Sequence, residues 1–305
     1  MAKNSNLFDS LWKGVIEDLF PDFLRFFYPD ADETFELGKH EFLDKELEKL
    51  YPDTDGGTRR RHVDKLVKVR LRKGGEQWIL IHIEVQGYAD PQFGPRMFQY
   101  FYRILDRYRR PVTAIAIFTG SQKKTPESYE IEMLGTRLHY KFNSYRIIDQ
   151  PEDALRAATG NPFAQIILGA RTKLMSGKMS DEELMTRYEW IFTALDKTLS
   201  PRKKMAIFAF IKYFVHFSDQ KYYRIFDEKL ETITGKNNAM GVEEMLISRG
   251  LEKGLKQGRE EEKKKLYYTF VKNHLQRTTL SVPEIASLLG VSEAYVRKIK
   301  KELKK

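Results

Sequence analysis

Residues 62–86, HVDKLVKVRLRKGGEQWILIHIEVQ, carry two runs of alternating side chains separated by Lys-Gly-Gly. Val63, Val67, Val69 and Leu71 share the odd positions of the first run, and Ile79, Ile81, Ile83 and Val85 share those of the second. A period of two is the mark of a strand with one buried face, so the segment predicts an antiparallel hairpin. Directly opposed residues point to the same side of a sheet. If both odd faces are core, the numbers of paired residues must sum to an even value. A three-residue loop, Lys73-Gly74-Gly75, meets this condition with a sum of 148, whereas a two-residue Gly-Gly turn puts the apolar faces on opposite sides.

That register sets Asp64 directly against Glu84. Two neighbouring carboxylates on one face repel unless they share a proton or a cation, and oxygen-rich sites of this kind suit Mg²⁺ or Mn²⁺. Gln86 lies on the same parity, able to orient a water or a phosphate oxygen. Lys68, Arg70 and Arg59 to Arg61 are expected to supply positive charge around the acids. A metal held by two acids among basic residues is an arrangement that cleaves phosphodiesters.

The rest of the chain frames this hairpin. Residues 7–28 read as an amphipathic helix interrupted or ended at Pro21, and GKHEFLDKELEKL (38–50) as a second helix. RMFQYFYRILDRYRR reads as a long helix after Pro91 and Pro95, with Arg96, Gln99 and Tyr100 toward a DNA-facing cleft and Phe98, Phe101 and Tyr102 toward the core. VTAIAIFT is a continuous apolar run suited to a central strand, and LHYKFNSYRIID reads as one further strand. This places an α/β module over 1–150, a helical region over 151–248, a charged helical linker over 249–276 and a small helical tail over 277–305.

Of 305 residues, 41% are hydrophobic and 13% aromatic, which implies a folded chain. There is no cysteine, so disulfides and thiolate chemistry are excluded. No apolar run reaches the ~20 residues that span a bilayer, and the N-terminus has acids where a secretion signal is apolar, so a cytoplasmic protein with no membrane partner is expected. The net charge of +10 is concentrated: from Arg249 onward 15 Lys and Arg face 7 Asp and Glu. A local basic excess suits a polyanion, nucleic acid first, or a solubilised tail. Within it, TTLSVPEIASLLGVSEAYVRKIKKELKK offers Ser281 and Ser292 as N-caps, with Ile285, Leu288 and Leu289 on one face. A Gly290 turn separates this helix from a second that carries Tyr295, Arg297, Lys298 and Lys301, types that touch bases and phosphates.

An acid on one strand followed by EVQ on the next, within this order of elements, resembles the PD-(D/E)XK nuclease superfamily. More narrowly, FLDKEL, HVDKLVKVRL, ILIHIEVQGYADPQF and RMFQYFYRILDRY are similar to the transposase-associated Rpn family of recombination-promoting nucleases, over residues 40–150. The tail resembles bacterial helix-turn-helix modules. The resemblance implies a mixed sheet flanked by helices, with Asp64, Glu84 and the backbone carbonyl of Val85 on a divalent metal and Glu46 as a further acid from the first core helix. Glu46 also reads as a solvated helix acid. Gln86 stands where the superfamily carries lysine; either activity is weaker or Lys68 or Lys65 supplies the charge. The function implied is a Mg²⁺-dependent DNA endonuclease of mobile-element character. The alternative is a DNA-binding or regulatory protein on an inactive nuclease fold. Self-association is left open.

Overall fold

The computed structural model describes residues 11–44, 63–84, 91–121, 125–158, 160–195, 199–234, 268–276 and 280–303; for residues 63, 64, 80–84, 213, 233 and 234 only the backbone is described. The chain forms two compact units, residues 1–239 and 240–305.

In the first unit, residues 11–18 form helix α1, and a turn at Leu19 separates it from α2 (Phe20–Phe27), where Pro21 fits the open first turn. A short helix α3 (Ala31–Thr34) leads into strand β1 (Phe35–Phe42). The helix expected over 38–50 is therefore a strand through Phe42, while residues 45–50, Glu46 among them, lie outside the described residues. The alternation was hidden by an irregularity. Phe35 pairs with Leu71 but His40 with Val69, so a bulge shifts the parity between them. Phe35 and Leu37 before it and Phe42 after it then all reach the same core.

Strands β2 (Val63–Leu71) and β3 (Glu76–Glu84) form the expected hairpin. Helix α4 (Phe93–Tyr108) crosses back to β4 (Val112–Phe118), which lies parallel to β3. Strands β5 (Ser128–Met133) and β6 (Thr136–Lys141) make a separate hairpin, and β7 (Asn143–Arg146) returns parallel to β4. The main sheet has the order β1-β2-β3-β4-β7, and β4 is an interior strand as its apolar run implies. The strand expected in LHYKFNSYRIID is two strands in different sheets. It breaks at Phe142, and Ile147–Asp149 is a 3-10 turn.

Helices α5 (Glu152–Ala157), α6 (Pro162–Met175), α7 (Asp181–Thr193), α8 (Pro201–Phe214) and α9 (Gln220–Thr234) follow. Ten of the fourteen α6 residues are buried, so this helix is enclosed by its neighbours rather than laid on a surface. Val67, Val69, Ile79, Ile115 and Ile117, all odd, share one core with Trp12, Phe23, Phe163 and Phe210. Residue 150 divides a sheet-bearing half from a helical half, but the two halves share this core. The even face packs under α4: Leu66 and Trp78 with Ile104, and Ala114, Ala116 and Phe118 with Phe93 and Met97.

The second unit is described from residue 268. Helix α10 (268–276), α11 (Val282–Leu289) and α12 (Glu293–Glu302) bury Val271, Ile285, Ala286, Val296 and Ile299 together. Gly290, at φ 62°, ends α11; its N–H reaches Ser287 O and that of Val291 reaches Ala286 O. This pair of bonds is a Schellman cap, which needs a residue tolerant of left-handed backbone. Leu288, expected on the packed face, is instead exposed, and Ala286 takes its place.

Candidate metal centre and nucleic-acid interface

The β2–β3 register differs from the expected one by two residues. Asp64 pairs with His82, Val63 with Ile83 and Arg70 with Glu76, a sum of 146. The sum is still even, so the buried faces coincide as the pattern demands. The loop has three residues, but they are Arg72, Lys73 and Gly74: Gly74 N donates to Leu71 O, and Leu71 N donates to Gly75 O. Gly74 and Gly75, at φ 88° and 86°, both use backbone that other residues avoid.

Asp64 is therefore two positions out of register with Glu84, not directly opposite. The two positions share the even face and are diagonal neighbours across two adjacent strands, a relation of about 7–8 Å. Glu84 is in register with Phe118 on β4, and the Phe118 ring lies 5.0 Å from that of Phe93, the first residue of α4. The C-terminal ends of β3 and β4 thus meet the N-terminal end of α4, where helix dipoles favour negative charge. Arg96, half-buried with its guanidinium 5.4 Å from the Phe93 ring, is at this end, and Gln99 is exposed one turn later. Tyr100 packs instead with the Leu66–Trp78 cluster. Val85 and Gln86 lie outside the described residues. No set of three or more metal-ligating side chains occurs among the described residues.

Of the basic residues expected around the acids, Arg59 to Arg61 lie outside the described residues, and Lys68 and Arg70 are elsewhere. Lys68 is four residues from Asp64 along β2 and Arg70 six, about 13 and 20 Å at strand rise. Lys68 bonds Glu41 at 2.7 Å, with Glu76 at 4.0 Å, and its ammonium is held above its ordinary pKa by the Glu41 hydrogen bond. Lys39, His40, Glu41, Lys68, Arg70 and Glu76 line a cavity of about 330 Å³ at this far end of the sheet. Lys65 is on the odd face, opposite to Asp64. Its side chain is 1% exposed, bonded to both Glu17 and Asp44, and its Nζ lies 4.9 Å from the Phe42 ring centre. Lys65 is thus not a source of positive charge beside Asp64. A sequence signal existed: a lysine among Val63, Val67 and Val69 on a buried parity requires a counter-charge.

In the second unit, Ser281 and Ser292 sit at the helix starts as expected. The Glu284 carboxylate accepts from Ser281 N at 2.7 Å and Oγ at 2.6 Å, bonds that hold it below the usual carboxylate range; Ser292 Oγ accepts from Tyr295 N at 3.3 Å. On α12, Val296 and Ile299 are buried and Tyr295 packs half-buried on the same cluster. Arg297, Lys298 and Lys301 are exposed, with Arg297 bonded to Glu293 at 2.9 Å.

No family model matches the chain, and no curated protein or solved structure matches it. The fold is α/β, a mixed five-stranded sheet flanked by helices. Among the described residues no helix is long and apolar enough to cross a membrane.

Proposed function

We propose that this chain is a divalent-metal-dependent DNA endonuclease of the PD-(D/E)XK type, with α11 and α12 as a helix-turn-helix that guides it to DNA. The supporting observation is the same-face, diagonal placement of Asp64 and Glu84 at the sheet end where α4 begins. Two carboxylates so placed suit a hard, oxygen-seeking ion, so Mg²⁺ or Mn²⁺ fits the donor set; Asp64, Glu84 and the Val85 carbonyl would hold it. When bound, the ion would lower the pKa of a water and offset phosphate charge. The chain's own part is positional. Asp64 and Glu84 fix the site relative to the α4 N-terminus. Arg96 adds positive charge on the phosphate side, and Gln86 orients the attacking water without adding charge. Lys298 and Lys301 neutralise phosphates away from the cut, and Tyr295 and Arg297 line the same helix.

Cleavage of supercoiled plasmid with Mg²⁺, Mn²⁺ or EDTA, beside Asp64→Ala and Glu84→Ala, tests the reading. Metal-dependent nicking that both substitutions abolish is the expected result. Intact plasmid under every metal, with a mobility shift that persists in EDTA, would establish the second reading, an inactive DNA-binding protein, which Gln86 in place of lysine favours.

A further inference from the structure

The β5–β6 hairpin has an apolar face with an abrupt end to its support. Tyr129 pairs with Tyr140, Ile131 with Leu138 and Met133 with Thr136, so these side chains share one face. At its base the face packs on α4: Phe98 lies 5.8 Å from Tyr129, and Phe101 4.8 Å from Tyr140, between ring centres. At Gly94 a Cβ would come within 3.3 Å of Tyr129 Cβ, so the hairpin base sits tight against the helix. Beyond this contact the side chains of both elements lose their cover. Exposure rises along the hairpin from 43% at Ile131 to 70% at Met133 and 100% at Leu134. On the helix, Tyr102, stacked on Phe98, is 54% exposed and Leu105 37%.

These five are all of the strongly exposed large apolar side chains among the described residues of the first unit. At about 200 Å² per large side chain they present roughly 600 Å², the upper end for a single patch on a monomer. Leu134 also adopts φ 48°. A branched aliphatic residue there is strained where Asn or Gly would fit, so neither burial nor turn geometry explains it.

We infer that this face is the interface of a symmetric dimer, with the hairpin tip of each copy seated in the notch between hairpin and α4 of the other. A protruding apolar tip beside an apolar notch on the same molecule is self-complementary under a two-fold axis. Two nearby charge pairs are satisfied within the chain, Asp106 with Arg109 at 3.3 Å and, on the opposite face of the hairpin, Glu132 with Arg137 at 2.8 Å, and the face itself carries apolar side chains, so the patch asks for a neutral partner rather than a polyanion. With a polar rim its area approaches the ~800 Å² per partner of a stable interface.

Sedimentation velocity of the full chain over a dilution series tests this, independently of any nuclease activity. Wild type is expected to be a dimer, weakened at least ~100-fold by Met133→Asp, which buries a charge in the notch, and about tenfold by Leu134→Asn, which removes the tip side chain yet suits the turn. Leu288→Asp, on the exposed face of α11, should leave the dimer intact. A wild-type monomer at all concentrations, a dimer indifferent to Met133→Asp, or one dissociated by Leu288→Asp would each overturn the inference.

Discussion

The described residues include two antiparallel hairpins of similar construction and opposite surroundings. Strands β2 and β3 are covered on both faces along their middle, Val67, Val69 and Ile79 by the main core and Leu66 and Trp78 by α4. Strands β5 and β6 are covered on one face, near their base only. The buried hairpin turns through glycines at positive φ; the open one turns through Leu134-Gly135, with leucine in the left-handed region. Burial on two faces fixes register and demands relaxed turns, because a slip would expose a core face. With only its base covered, the open hairpin is free to spend its tip on an apolar side chain that does nothing for its own fold.

If burial makes the difference, substitutions should grade accordingly. The three tryptophans, Trp12, Trp78 and Trp190, all belong to the first unit, so fluorescence during urea unfolding reports that unit by itself. Ile79→Ala in β3 is expected to cost about 3 kcal/mol, the transfer loss plus a cavity under the sheet. Lys65→Ala should cost about 2 kcal/mol, because Glu17 and Asp44 lose their shared cation but remain partly solvated. Gly74→Ala is expected to cost about 1 kcal/mol, from its left-handed φ alone, since nothing lies within 4 Å of the added methyl. Leu134→Asn should have the opposite sign, stabilising the dilute protein by roughly 0.5–1 kcal/mol. Met133→Ser should change the same curve by under about 0.5 kcal/mol. A Met133→Ser effect as large as that of Ile79→Ala would show that the open hairpin is a core element after all and end the contrast.

The buried hairpin was legible because each of its faces leaves a trace of period two; even the parity of the loop followed from it. Its register was not, since Arg72-Lys73-Gly74 and Lys73-Gly74-Gly75 satisfy the same parity and only backbone hydrogen bonds choose between them. The two-residue shift moved Asp64 from opposite Glu84 to diagonal without changing the shared face, so the acid pair survives as a candidate site. Lys68 and Arg70 were placed beside the acids by parity, which records the face and not the distance along the strand. Strand β1 was unreadable because its bulge reverses the parity midway. The open hairpin leaves no such trace, because Leu134-Gly135 lacks the Asn or Asp that marks such turns. In the second unit, the cap at Gly290 and the two serine starts were all visible as residue types.

One backbone hydrogen bond, from Phe142 N to Glu127 O at 3.1 Å, closes the open hairpin at its base. The connection between the parallel strands β4 and β7 therefore leaves and returns at nearly one point. Most parallel connections must span the sheet with an element of fixed length; here residues 127 and 142 close the hairpin, Tyr129 and Tyr140 anchor it on α4, and the residues between those two are excursion. Beyond the Tyr129–Tyr140 pair that packs on α4, this finger can be lengthened or shortened without moving a strand of the main sheet. The same pair of residues marks where a foreign hairpin is best grafted.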